Sequence, residues 1–284
     1  MKTPTIQIKV GAETPFKIMH ITDTHLMRVD ERECERKLAL AKSRYPVFPR
    51  VEENFAHICE LADKLRIPIV HTGDFLDFVS MKNLETVKEF TEKYDVFTSA
   101  GNHDFSLFMG EAFEDADYRN QSLATVQKSF TNDIRASSRV INGVNFVALD
   151  NGYYLFDEMQ FAFLEKEVEK GYPIVLALHV PLYEKQLFDD LYYNREKFGM
   201  RPLTYPCAYL AGVPNELLQR YADHLIKQQT PDKITLAMIE YIKEQPLIKA
   251  VLCGHLHCDA EALLKEGVPQ ILTGMDTARI IEFV

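Results

Sequence analysis

Residues 67–77 read I-P-I-V-H-T-G-D-F-L-D, and the fold is decided by how this stretch is read. Residues 67–71 are a β-branched run with strand character, and Thr72-Gly73 stops it in a turn. Asp74 follows the glycine directly. A side-chain-free turn lets the backbone approach a site closely. A short buried strand that delivers a carboxylate from its end belongs to an open α/β sheet, where sites form beyond the strand ends.

The same unit recurs on both sides. Residues 16–21 read as a strand and lead to D-T-H (Asp23, His25). Residues 94–99 lead to G-N-H-D (Gly101, Asn102, His103, Asp104), and residues 173–178 to A-L-H-V-P (His179). Residues 248–253 run into C-G-H-L-H-C (Gly254, His255, His257). Further strand candidates are 6–10, 269–273 and 278–283, with Asn142-Gly143 as a hairpin turn between 139–141 and 144–149. Helical spacing marks 51–66 through Val51, Phe55, Ile58, Leu61 and Leu65, and also 83–93. Residues 157–170 read as a helix with Asp157 as N-cap and Gly171 as stop. Elements alternate in this way along one α/β domain spanning 1–284. Two insertions, at 26–50 and 182–244, leave the ligand-bearing end of the sheet and are expected to form pocket walls.

Composition narrows the function. Hydrophobic content of 46% and charged content of 26% are those of a globular protein. The net charge of -10 argues against a nucleic-acid binder that works through a basic surface. The N-terminus lacks the apolar core of a signal peptide, and no apolar run is long enough to span a bilayer. Five cysteines without framework spacing fit a reducing cytoplasm.

The islands carry oxygen and imidazole donors with no thiolate pattern, a set suited to hard or borderline divalent metals. Asp23 and His25, two apart, are expected to project to one side of an extended segment and share a metal. Asp74 has two oxygens and can bridge two metals. Asn102 offers a neutral amide oxygen, and His179, His255 and His257 offer nitrogens. Two divalent ions bring about +4 and two carboxylates remove about 2, so the centre stays cationic and can hold a phosphate. A pair of metals can also activate a water and clamp the phosphoryl oxygens. His103 adjoins Asn102, is not needed as a ligand, and is free to act as general acid. Asp77 or Asp104 can orient it, and Asp77, three residues after Asp74, is preferred.

In this order, D-x-H, G-D-x-x-D, G-N-H-D, a lone H and G-H-x-H, the chain resembles the calcineurin-like metallophosphoesterases. The resemblance runs from Asp23 to His257. It implies a four-layer α/β/β/α sandwich of two packed mixed sheets. It implies that Asp23, His25 and His257 bind one metal, that Asn102, His179 and His255 bind a second, and that Asp74 bridges them. His103 would be the catalytic acid. The cofactors implied are two divalent or trivalent ions, manganese, iron or zinc. The activity implied is hydrolysis of a small phosphomonoester or phosphodiester by a metal-activated hydroxide. Asp77 stands where purple acid phosphatases of this family place a tyrosine ligand, which argues against a purple iron site. Phe78-Val79 replaces the R-G of the protein phosphatases. A non-catalytic scaffold on the same fold would lack the catalytic histidine, and a nuclease of the superfamily would need a basic groove.

Other residues have plainer readings. His20 and His71 are expected to be buried, hydrogen-bonded histidines beside the site, and His57 and His224 to serve surface or packing roles. Cys253 and Cys258 read as small buried residues, and Asp150-Asn151-Gly152 as a turn. Arg28, Arg32, Arg36, Arg44 and Arg50 alternate with acids and read as a solvated helix face, with a phosphate clamp as the sharper alternative. Tyr183, Phe188, Tyr192, Tyr193, Phe198, Tyr205 and Tyr209 read as packing, with an aryl-binding rim as the sharper alternative.

Overall fold

Strand residues alternate between two apolar environments, and this alternation builds the layers. The computed structural model describes residues 1–198 and 209–284, so Tyr205 and Cys207 lie outside the described residues. One sheet holds β1 (Thr5–Ile8), β2 (Phe16–Ile21), β3 (Ile69–Thr72), β4 (Val96–Ser99) and β11 (Arg279–Phe283), in the order β1-β11-β2-β3-β4. The other holds β5 (Ala136–Ile141), β6 (Val144–Leu149), β7 (Ile174–Ala177), β8 (Ile248–Cys253), β9 (Ala260–Lys265) and β10 (Val268–Leu272), in the order β5-β6-β7-β8-β10-β9. Both sheets are mixed: β2, β3 and β4 run parallel, as do β6, β7, β8 and β10, while β11 opposes β2 and β5 and β9 are antiparallel edges.

Val144, Phe146 and Ala148 of β6 point toward the first sheet and share a core with Ile18, Val70, Phe97 and Phe283. Val147 and Leu149, one residue out of phase, face the helices on the opposite side. There Leu164 of α5 (Glu158–Glu169) and Met238, Ile239 and Ile242 of α9 (Lys233–Glu244) cover the second sheet. Met19 and Ile21 of β2 face the first sheet's own helical layer. That layer has α1 (Glu35–Arg44), α2 (Val51–Leu65), α3 (Met81–Lys93) and α4 (Ala116–Val126). The order of layers is helix, sheet, sheet, helix, as expected.

Local chemistry sets the ends. Asn142 and Gly143 both have positive φ (45° and 77°), the geometry of a two-residue hairpin turn. Asp157 and Gln160 form a reciprocal capping box at the start of α5. Two elements carry little sequence signal. In α4 only Tyr118, Ser122 and Val126 are buried, too few for a clear stripe. The edge strand β9 reads AEALLK, with no β-branched residue and an exposed Leu263.

The stretch 26–50 is anchored by Leu26, Met27, Ala41 and Phe48, all buried in the first sheet's outer core. The stretch 182–244 contains α6 (Lys185–Tyr193), α7 (Asn215–Leu218), α8 (Asp223–Gln229) and α9. α9 belongs to the second sheet's helical layer and leads into β8, so it is the crossover helix between β7 and β8. Phe146 is fully buried between the sheets. Phe146→Ala is expected to lower the unfolding free energy by about 3–5 kcal/mol in a denaturant titration.

Candidate metal centre

All five islands lie just beyond the C-terminal ends of parallel strands, and they meet where the two sheets come together. β2 ends two residues before Asp23, and β3 delivers Asp74. β4 delivers Asn102 and His103, β7 delivers His179, and β8 delivers His255 and His257. The islands are laced by backbone bonds: Asp23 N donates to Gly73 O (3.0 Å), His25 N to Asp74 O (3.0 Å) and Gly254 N to His179 O (3.0 Å).

Three groups of donor atoms, each compact enough to hold one ion, are found among the described residues. Asp23, His25, Asp74 and His257 form the first; Asp74, His179 and His255 form the second; in the third, His25, Asp77 and His103, the Asp77 carboxylate is already taken by Arg44. Asp74 is common to the first two. Its Oδ2 lies 3.8 Å from His25 Nε2 and 3.1 Å from His179 Nε2. In the first group Asp23 Oδ1 is 3.3 Å from His257 Nε2 and 3.8 Å from His25 Nε2. In the second, His255 Nδ1 is 3.2 Å from His179 Nε2. Asn102 Oδ1 is buried without a hydrogen-bond partner, as an acceptor kept for a cation would be.

The backbone is specialised for this convergence. Among the described residues nine non-glycine positions have positive φ, and five of them are Asp23, His25, Asp74, His255 and His257. The expected extended geometry of Asp23-Thr24-His25 is therefore corrected: Asp23 (φ 51°) and His25 (φ 46°) are both left-handed. The chain kinks locally at these two positions while residues 23–26 run alongside 73–76 and stay paired to them in parallel. Two glycines permit the close approach. A β-carbon on Gly101 would overlap the backbone nitrogen and carboxylate of Asp74, and one on Gly254 would lie 2.5 Å from Asp23 Oδ2. Asp104 ties the loops together. It accepts from Asp74 N (3.0 Å), Gly101 N (2.9 Å) and Leu76 N (3.0 Å). Burial and the charge of Asp74 push its carboxyl up to about 6.

Outer partners set which nitrogen faces inward. Thr72 O accepts from His179 Nδ1 (2.7 Å), so His179 presents the Nε2 lone pair to the cluster. Asp77 Oδ1 accepts from His25 Nδ1 (3.1 Å) with the same result. Tyr154 Oη lies 2.9 Å from His255 Nε2 and leaves Nδ1 facing inward. Asp77 also takes a bidentate pair from Arg44 (2.7 and 2.8 Å) and touches His103 Nδ1 through its backbone oxygen (3.0 Å) and Oδ1 (3.2 Å). Asp77 therefore sits where a partner for His103 is needed, and Asp104 serves the loops. Burial disfavours charge on His103, but Asp74 and Asp77 outweigh it and push the imidazole up to about 10. Burial likewise raises Asp74, yet His179, His103 and His25 hold its carboxyl below the usual range.

The plainer readings fare as follows. His20 is buried between Thr72 Oγ1 (2.9 Å) and Thr273 Oγ1 (2.9 Å). His71 joins Thr24 Oγ1 (2.7 Å) to Gly73 N (3.2 Å). Burial pushes both imidazoles down to about 3, so they act as neutral links, His71 between the D-T-H and G-D turns and His20 between Thr72 and Thr273. Cys253 and Cys258 are buried in the second sheet's outer core. Arg28, Arg32, Arg36 and Arg50 pair with acids, but Arg44 departs from the solvated face and reaches Asp77. Phe188 packs in the core beside Tyr183 and Tyr192, while Tyr209 sets its ring edge-on to His255 at 5.8 Å. Phe48 of the first insertion stacks on His25 at 4.4 Å. Three supporting residues were missed. Tyr154 and Asn151 occupy the turn after β6, and Asn151 accepts from the backbone of both His179 and Val180 (3.0 Å each). Glu114 bonds Gln228 (2.7 Å) and the Asn102 side chain. Only the turn chemistry around Asn151 gave a sequence signal.

The family model described as calcineurin-like phosphoesterase matches residues 16–259, a span that contains every island. The chain belongs to the calcineurin-like phosphoesterase family. No curated protein matches it. Solved structures similar to this calcineurin-like phosphoesterase include a putative 5′-nucleotidase from Staphylococcus aureus (16% identity, TM-score 0.45, 93% of this chain and 49% of that one). Others are a dimetal phosphatase from Danio rerio (14%, 0.48, 92% and 88%) and a phosphopantetheinyl hydrolase from Mycobacterium tuberculosis (13%, 0.43, 92% and 90%). The chain spans about half the length of the nucleotidase. Within this member of the family, Asp104 is the test of how the loops are held. Asp104→Ala strands three backbone donors and is expected to cost roughly 2–4 kcal/mol of unfolding free energy. A loss below about 0.5 kcal/mol would show that water replaces the carboxylate at no cost.

Proposed function

We propose that this chain is a metal-dependent hydrolase of phosphoric esters, acting on a small phosphomonoester or phosphodiester. Asp23, His25, Asp74 and His257 would hold one cation, and Asp74, Asn102, His179 and His255 a second. The observation that carries this reading is Asp74 Oδ2, one buried oxygen within 4 Å of an imidazole nitrogen from each group. The donor set suits manganese, iron or zinc. When bound, the two cations supply a water activated at neutral pH and positive charge for the phosphoryl oxygens.

The protein's own groups then have separable tasks. Asp74 Oδ1 accepts from His103 N (2.8 Å), which pins the carboxylate and aims Oδ2 between the groups. Asp77 holds His103 Nδ1, so the proton His103 delivers is the one on Nε2, and its acceptor is the leaving oxygen. The same Asp77 braces His25. Arg44 lies against Asp77 and keeps it ionised, with its carboxyl held far below the usual range against the pull of burial. Part of the field on His103 is cancelled when Asp74 is ligated, which returns the imidazole toward the range where a general acid works. Among the described residues no helix is long and apolar enough to cross a membrane. The four described cysteines are free thiols, which supports a cytoplasmic setting.

The test is turnover of p-nitrophenyl phosphate and bis(p-nitrophenyl) phosphate with added manganese, iron or zinc. Hydrolysis is expected with at least one metal and is lost on chelation. His103→Ala is expected to lower kcat by about 10²–10⁴ while metal content stays that of the parent. No turnover of either ester with any of the three metals would overturn the reading.

A further inference from the structure

The two groups of donors are braced differently. His25 is backed by the Asp77 carboxylate (3.1 Å) and His179 by a backbone carbonyl (2.7 Å). His255 is backed by a phenol, Tyr154 Oη at 2.9 Å. It is also the one histidine of the centre that turns Nδ1 toward its neighbour, His179 Nε2 at 3.2 Å. An imidazole that turned Nε2 inward would need a different ring orientation and would lose the hydrogen bond that Tyr154 Oη makes to the outward Nε2.

Tyr154 is itself held with care. Its backbone is left-handed (φ 69°), a conformation disfavoured for a bulky aromatic residue, and its side chain is 4% exposed. Its N–H donates to Asn151 O (2.8 Å), the residue whose amide side chain clips the backbone of His179 and Val180. One turn after β6 therefore supports both histidines of the second group, His179 by its main chain and His255 by its ring. Strain of this kind persists where surrounding structure enforces it, and it gathers at functional positions.

Given the metal centre proposed above, on which this step rests, the geometry points to Tyr154 as a positioning residue. It fixes His255 with Nδ1 inward and so sets the cation affinity of the second group alone. Partners behind a ligating histidine typically contribute 10–100-fold in metal affinity. The first group has Asp23 as its own carboxylate, shares Asp74 with the second, and has the Asp77 brace, and none of these touches Tyr154 directly among the contacts described.

The experiment is titration of the metal-free full chain with Mn(II), followed by calorimetry and by electron paramagnetic resonance, for the parent and Tyr154→Phe. The substitution removes one oxygen and keeps the buried ring. The parent is expected to bind two Mn(II) and to show a spin-coupled pair. Tyr154→Phe is expected to weaken one site 10–100-fold and leave the other unchanged. At one equivalent it then shows the signal of isolated Mn(II), and the melting temperature of the metal-free chain stays that of the parent. Asp77→Asn serves as the contrast and is expected to weaken the other site. Two unchanged sites in Tyr154→Phe would overturn the inference and leave the metal centre standing. Equal weakening of both sites with a lowered melting temperature would reduce Tyr154 to a packing role and overturn it too. A parent chain that binds no Mn(II) would remove the centre and this inference together.

Discussion

The structure depends on burying two carboxylates, Asp23 and Asp74, each 3.8 Å from the same imidazole nitrogen of His25. Both are fully or almost fully removed from water. Isolated charges in such a place cost several kcal/mol or more, so they must be compensated where they stand. Hydrogen bonds supply part of this: Thr22 Oγ1 (2.9 Å) and His255 N (2.9 Å) reach Asp23, and His103 N (2.8 Å) reaches Asp74. Imidazoles supply the rest in this structure, since His25 and His257 hold Asp23 well below its usual range against burial. Both carboxylates keep a second oxygen aimed at histidine nitrogens. A shell with charge of this sign, and lone pairs already turned inward, is complementary to cations.

Building that shell strains the chain. Five candidate ligands sit in left-handed backbone, each at a cost of about 1 kcal/mol or more. Aspartate and histidine bear it better than most residues, and the cost is met by rigid surroundings. Asp104 ties three N–H groups from two loops, His71 bridges the D-T-H and G-D turns, and glycines at 101 and 254 let backbones meet. The two sheets are thereby joined at the site as well as along their hydrophobic faces, since His179 Nδ1 of one sheet's loop bonds Thr72 O of the other's strand. Function and fold share these contacts.

This division explains what the sequence disclosed. The strands that carry the islands were legible because they are buried on both faces and read as continuous apolar runs. The candidate ligands were legible as islands because each follows such a run within a few residues, with glycine marking three of the turns. The conformation of Asp23-Thr24-His25 was not: nothing in three residues announces left-handed kinks in a segment paired in parallel with residues 73–76, which are about fifty positions away. Arg44 was hidden for a related reason. Among interleaved acids it looks like any solvated arginine, and only the packing of α1 carries it to Asp77. Tyr154, Asn151 and Glu114 support the site through isolated contacts between distant parts of the chain, and such contacts have no period to detect.

The acidity of the protein takes on a meaning at this point. A chain of net charge -10 repels phosphate at long range, and two of its carboxylates are buried in the cage itself. Screening at physiological ionic strength confines most of the surface charge to within about 8 Å, so the local sign decides whether an anion enters. Under the proposed reading that sign is set by occupancy. With no cation, Asp23 and Asp74 are offset only by their imidazole neighbours; with two, the centre would carry a net positive charge of about 2 before water is counted. Substrate and metal would then bind with positive coupling through Asp74, and that coupling is reciprocal. Arg44, which contacts Asp77, does not relieve this dependence, because Asp77 takes both its Nε and one terminal nitrogen. On that reading His25 and His179 would be taken up as ligands, and among the centre's described side chains His103 would be left as the positive partner of the anion, the same group proposed to give up its proton.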